Sequence, residues 1–165
     1  MSLSRLIATF FGAGLLSPAP GTWGSLAALP VLWLLHVLGG FWLVAAATLA
    51  VAGLGWWATL QETGGALDAD PGEIVIDEVV GMWIALWPVS LGAMMQGVDV
   101  LRLWPGWVVG FLAFRLFDIW KVGPVGWAER QGGPLGVMLD DVMAGIMAAV
   151  VVVLAAAIAH IGFRA

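Results

Sequence analysis

The stretch SLAALPVLWLLHVLGGFWLVAAATLAVAGLGWWATL, residues 25–60, decides the fold class. It runs for 36 residues with His36 as its only strongly polar break. A single helix of that length would be about 54 Å long, against a bilayer hydrocarbon core of roughly 30 Å. Two antiparallel helices, 25–38 and 41–60, turning at Gly39-Gly40, fit the bilayer better. The first of them is expected either to cross fully or to lie half-buried. Outward from this stretch, 79–95, 104–120 and 142–161 are further apolar runs, the middle one short for a span. The expectation is an all-α, polytopic integral membrane bundle of about five membrane helices. A short N-terminal helix within 5–16 is too short to cross and is placed at the interface, or packed on the bundle. The whole chain, 1–165, reads as one membrane-embedded domain.

Composition supports this. Hydrophobic residues make up 62% of the chain and charged residues 10%, where a soluble domain carries about 25% charged residues. The 11 tryptophans gather near the ends of the apolar runs, as interface belts require. The net charge of −5 and the lack of a basic patch exclude a nucleic-acid partner. Cysteine is absent, which removes thiol nucleophiles, disulfides and thiolate metal sites. No cleavable signal peptide is expected, because the apolar run after Arg5 continues into a Pro/Gly loop.

Five crossings put the segments before Ser25, between Leu60 and Val79, and between Trp120 and Val142 on one face. Arg5, Lys121 and Arg130 fall there, with Arg115 one turn inside. Arg102 and Arg164 lie opposite. The positive-inside rule makes the first face cytoplasmic. Ten of the eleven acidic residues share that face or its edge, and only Asp99 lies opposite.

Four features on this face carry chemistry. In SPAPGTWGS, 17–25, prolines and glycines fix a turn before a helix, whose N-terminal N–H groups suit a phosphate. Ser17, Thr22 and Ser25 add hydroxyls, for phosphate binding or for simple capping. In EIVIDE, 73–78, Asp77 and Glu78 enter an apolar helix at the membrane edge, where carboxylates are costly unless paired or bound to a cation. Gly81, four residues after Asp77, suits close helix approach. In FRLFDIWK, 114–121, Arg115, Asp118 and Lys121 form a stripe on one helix side: an ion pair, or a carboxylate flanked by two phosphate-binding cations. In GGPLG followed by Asp140 and Asp141, the pattern of paired acids entering a helix recurs, with Gly145 four residues on. Carboxylate oxygens suit magnesium, and a divalent ion relieves their mutual repulsion. His36 and His160 sit at the far helix ends, which argues against a histidine nucleophile. Asp68-Ala69-Asp70 follows no strand and reads as a solvated loop. The motif of CDP-alcohol phosphotransferases is absent.

In this order, SPAPGTWGSLAALP, IVIDEVVGMW, FRLFDIWK and GVMLDDVMAG resemble the phosphatidylglycerophosphatase A family, bacterial membrane enzymes that convert phosphatidylglycerophosphate to phosphatidylglycerol and phosphate. The resemblance implies Mg²⁺ dependence, a phospholipid substrate and a place in the bacterial cytoplasmic membrane. It points to Asp77, Glu78, Asp118, Asp140 and Asp141 as catalytic residues, with Asp77, Glu78, Asp118 and Asp141 as metal ligands. Arg115 and Lys121 are then phosphate contacts. Two other functions use the same acids: a small cation transporter or channel, and a phospholipid headgroup transferase. Acids along the middle of several spans would favour transport; here they gather at one edge, which favours headgroup chemistry.

Overall fold

The computed structural model describes residues 1–66 and 71–162. Among these residues there are helices and no strand. The elements are α1 (Leu3–Ala8), α2 (Pro20–Thr63), α3 (Ile76–Gln96), α4 (Trp104–Trp120), α5 (Pro124–Glu129) and α6 (Gly133–Gly162). Short 3-10 turns at Ala13–Leu15 and Val100–Leu103 precede α2 and α4. Four helical stretches are long and apolar enough to cross a membrane.

The 44 residues of α2 do not form one rod. Gly39 and Gly40 leave helical geometry, and Gly40 takes φ 63°, ψ −159°, a conformation almost reserved for glycine. The chain reverses there. Along the first arm, Gly24 faces Val75, Trp83 Nε1 donates to the Ala28 carbonyl, and His36 Nδ1 lies 2.8 Å from Ser90 Oγ. Gly40 sits beside Met94. On the way back, Trp87 Nε1 donates to Thr48 Oγ1 and Gly55 faces Ile76 and Met138. The first arm therefore runs beside the whole of α3, and the second returns antiparallel to it.

Helix α3 is the hub, packed against α2, α4 and α6. Val79, Val80, Met82, Leu86 and Val89 are buried along it, with Phe114 of α4 against them. Large side chains such as Trp42, Leu49, Leu112, Ile146 and Leu154 point outward. In water such a surface would be untenable; lipid covers it. Helices α3 and α6 meet backbone to backbone. A Cβ on Gly145 would run into the Gly81 carbonyl, and one on Gly81 would lie 2.5 Å from the Asp141 carbonyl oxygen. The two glycines that each follow a carboxylate by four residues thus face one another.

Two element boundaries differ from expectation, and one element is new. Helix α6 begins at Gly133 rather than near Val142, because Pro134 needs no N–H partner in a first turn. The N-terminal helix ends at Ala8, and Phe10 and Phe11 then adopt positive φ, which a helix cannot continue through. Helix α5, unanticipated, fills the α4–α6 connection, with Val125, Gly126 and Ala128 buried. Asp68, Asp70 and Arg164 lie outside the described residues.

Candidate active site

The helix order brings three carboxylate-bearing ends to one end of the bundle. Asp77 and Glu78 occupy the first turn of α3. Asp118 lies in the last turn of α4, and Asp140 and Asp141 sit two turns into α6. The Gly81–Gly145 contact sets the distance between the first and last of these pairs. Oxygen atoms of Asp77, Glu78 and Asp141 lie within 4.8 Å of one another. Asp77, Asp140 and Asp141 are buried. Asp141 is surrounded by the carboxylates of Asp77, Asp118 and Asp140.

Local backbone contacts orient part of this cluster. Asp77 Oδ1 accepts from the Glu78 N–H at 2.9 Å, and Asp140 Oδ1 accepts from the Asp141 N–H at 2.9 Å. Glu78 Oε2 and Asp141 Oδ1 are buried and have no hydrogen-bond partner. Two buried carboxylate oxygens without donors are strongly unfavourable in a low-dielectric setting. The oxygen-only donor set suits a hard divalent cation such as Mg²⁺, so these residues fit the ion that the sequence suggests.

The cluster opens into a pocket of 290 Å³ lined by Asp77, Glu78, Asp118, Lys121, Glu129, Asp140 and Asp141, with glycines at its rim. Lys121 caps α4 in a left-handed conformation, which turns its side chain towards α6. Its Nζ donates to Asp140 Oδ2 at 2.9 Å and to Glu129 Oε1 at 3.0 Å. Burial works against the Lys121 ammonium, but the bonds to Asp140 and Glu129 outweigh it and hold its pKa above the usual lysine value.

Arg115 sits on the other side of Asp118. Its Nη1 pairs with Asp118 Oδ2 at 2.6 Å and donates to Ser25 Oγ at 3.5 Å, while Nε is buried without a partner. Ser25 Oγ in turn donates to the Gly21 carbonyl at 2.9 Å. Gly21, in the first turn of α2, has no side chain where Glu78 Oε1 and Arg115 Nη1 lie. Arg115 and Ser25 therefore form a layer behind the pocket rather than part of its lining. Ser17 is exposed and Thr22 half-buried, and neither lines the pocket.

Glu129 and Gly21 are the contributors that sequence reading did not single out. Glu129 carries no motif, and its role arises only because α5 folds back against α6. Gly21 lay within a quoted motif, but nothing in the spacing pointed to Glu78.

Fold and site define a helical membrane protein with an acidic pocket at one end of its bundle. The chain belongs to the phosphatidylglycerophosphatase A family, whose profile matches residues 6–156. It is 34% identical over 146 residues to phosphatidylglycerophosphatase A of Escherichia coli, covering 88% of this chain and 78% of that protein. It is 37% identical over 149 residues to phosphatidylglycerophosphatase A of Haemophilus influenzae, covering 90% and 85%. It is also 36% identical over 158 residues to a Bacteroides thetaiotaomicron protein provisionally named as a phosphatidylinositol-3-phosphatase, covering 93% of each. No solved structure gives a significant match. The protein is an enzyme, a phosphatase of phospholipid metabolism, and its relatives are bacterial.

Proposed function

We propose that the protein hydrolyses the terminal phosphate monoester of phosphatidylglycerophosphate to phosphatidylglycerol and inorganic phosphate. The reaction depends on Mg²⁺ and takes place at the cytoplasmic face of the bacterial inner membrane. The observation that carries this reading is the Asp77–Glu78–Asp141 cluster, with two buried unpartnered oxygens beside a pocket at one end of the bundle. Asp77, Glu78 and Asp141 would hold the ion; Asp118, which the sequence also offered as a ligand, instead keeps its free oxygen for the attacking water. Mg²⁺, when bound, would neutralise the phosphoryl oxygens and favour charge transfer to the leaving oxygen.

The remaining chemistry falls to the chain. The substrate's acyl chains stay in the membrane while its terminal phosphate enters the pocket. Lys121 Nζ, already between Asp140 and Glu129, meets the phosphate and exchanges one carboxylate for it. Arg115 fixes Asp118 through Oδ2, which leaves Oδ1 to take a proton from the attacking water. A carboxyl of the cluster returns a proton to the leaving glycerol oxygen. The three named relatives all point to phosphate monoesters on lipid headgroups, so headgroup identity is the finer part of the proposal.

The test is phosphate release by purified protein in mixed micelles. Phosphatidylglycerophosphate, phosphatidylinositol 3-phosphate and phosphatidic acid should be compared. Turnover should be highest on the first, vanish on chelation and return with excess Mg²⁺. Full turnover in chelator would remove the ion from the mechanism. Preference for the inositol lipid would reassign the substrate.

A further inference from the structure

The opposite end of the bundle holds a larger cavity that the phosphatase reaction does not use. It measures 390 Å³ and lies between α3, α4 and α6. From Asp77 to Gln96 along α3 is 19 steps, roughly 28 Å at helical rise, so this cavity is a membrane thickness from the acidic pocket. Its wall is apolar, with Val89, Val152 and Ala156 among the lining residues. Gln96, Arg102 and His160 provide its polar groups.

These three polar groups have different freedoms. Gln96 Nε2 donates to the Gly92 carbonyl at 3.2 Å. His160 Nδ1 lies 3.0 Å from the Ala156 carbonyl, leaving Nε2 free of that bond. Arg102 is exposed and makes no ion pair among the described residues. Asp99, the carboxylate at this end, does not line the cavity. Its Oδ1 accepts from the Leu101 N–H at 2.7 Å. Trp104, two residues after Arg102 and 65% exposed, suits an interface anchor. An apolar slot with an exposed guanidinium in its lining complements one kind of molecule: a lipid with an acyl chain for the slot and an anionic headgroup for the cation.

We propose that this cavity is a binding site for an anionic glycerophospholipid of the leaflet opposite the acidic pocket. Arg102 engages the headgroup phosphate, and one acyl chain lies between α3, α4 and α6. The bound lipid fills the space between these three helices at the end where no glycine contact pins α3 to α6. The inference does not depend on which lipid phosphate the enzyme hydrolyses.

The absence of native cysteine makes a local test simple. Ala159→Cys, on the cavity wall, is labelled with bimane. Quenching is then titrated in mixed micelles with phosphatidylserine or phosphatidylcholine carrying brominated chains. Because the label reports only the far end, lipid at the acidic pocket does not contribute. Phosphatidylserine should quench at about fivefold lower mole fraction, the scale of one arginine near a lipid surface. Arg102→Gln should bring the two curves together. Val153→Cys, on the same wall, replaces the first label if that variant does not fold. Equal quenching by both lipids in the parent would overturn the site as anionic. A preference that survives Arg102→Gln would overturn Arg102 as the headgroup contact.

Discussion

Asp118 belongs to an ion pair with Arg115 and to the lining of the acidic pocket, so structural and catalytic roles predict different mutant behaviour. Asp118→Asn and Asp141→Asn are each expected to lose at least about 100-fold in turnover, roughly 3 kcal/mol of transition-state stabilisation. Both should still insert and fold. Activity per folded molecule, with thermal stability alongside, checks this; normal turnover from a destabilised Asp118→Asn would leave only the ion pair. Arg115→Lys should also be damaging, since a compact ammonium on a flexible stem does not reproduce the rigid guanidinium position from which Nη1 meets both Asp118 and Ser25. Gly21→Ala tests the layer behind the pocket. A methyl there meets Glu78 Oε1, and displacing a reacting carboxylate by about 1 Å can cost up to about 100-fold. Its folding should be intact because Glu78 can swing away. Asp99→Asn is the control, because asparagine still caps the Val100–Leu103 turn. Lys121 has its pKa raised in the fold. Its stabilising contribution is therefore fully present below the ordinary lysine pKa of about 10.4, and is lost only as pH rises through the higher folded value.

At the scale of elements, glycines do two separate jobs that melting temperatures can distinguish. Gly81→Ala and Gly145→Ala put a methyl against backbone of the facing helix, which cannot rotate out of the way. Each should lower stability by about 1–3 kcal/mol, more than the gain of up to about 1 kcal/mol in helix propensity. Because the same contact spaces Asp77 from Asp141, turnover should fall as well. Gly40→Ala should destabilise for a different reason, its positive φ at the α2 reversal, and should leave turnover per folded molecule unchanged. Gly53, in a helical stretch of α2 with open space where a Cβ would go, is the control. Gly53→Ala should be neutral or slightly stabilising.

For the whole molecule, the arrangement is a one-sided one. The described acids other than Asp99 lie at the end where α1, the start of α3, the end of α4 and the start of α6 meet. Arg5 pairs there with Glu73, and Glu62 accepts from Ser4, which closes the N-terminal segment over that end. On the proposed orientation this end faces the cytoplasm. Single cysteines at Ala66 and Gln131, both exposed, should react with an impermeant maleimide only after intact cells are permeabilised. A cysteine at Leu101, at the far end, should react from outside. Labelling of Ala66→Cys and Gln131→Cys from opposite sides would break the shared-site arrangement.

The sequence by itself determined the class of protein, the reversal at Gly39-Gly40, the one-sided distribution of acids and the motifs that carry them. Those properties follow from run length, hydropathy and local spacing, which are one-dimensional. It also carried both carboxylate-to-glycine spacings, Asp77 to Gly81 and Asp141 to Gly145. Only the tertiary structure decided that the two glycines face each other and so draw Asp77, Glu78 and Asp141 together. It alone placed Arg115 and Ser25 behind the pocket, left Ser17 and Thr22 outside its lining, and brought Glu129 to Lys121. The physical reason is that proximity across helices depends on how each helix is rotated and where it crosses its neighbours. Those angles are set by the sum of many packing contacts, here above all the glycine contact between α3 and α6, and no single motif encodes them.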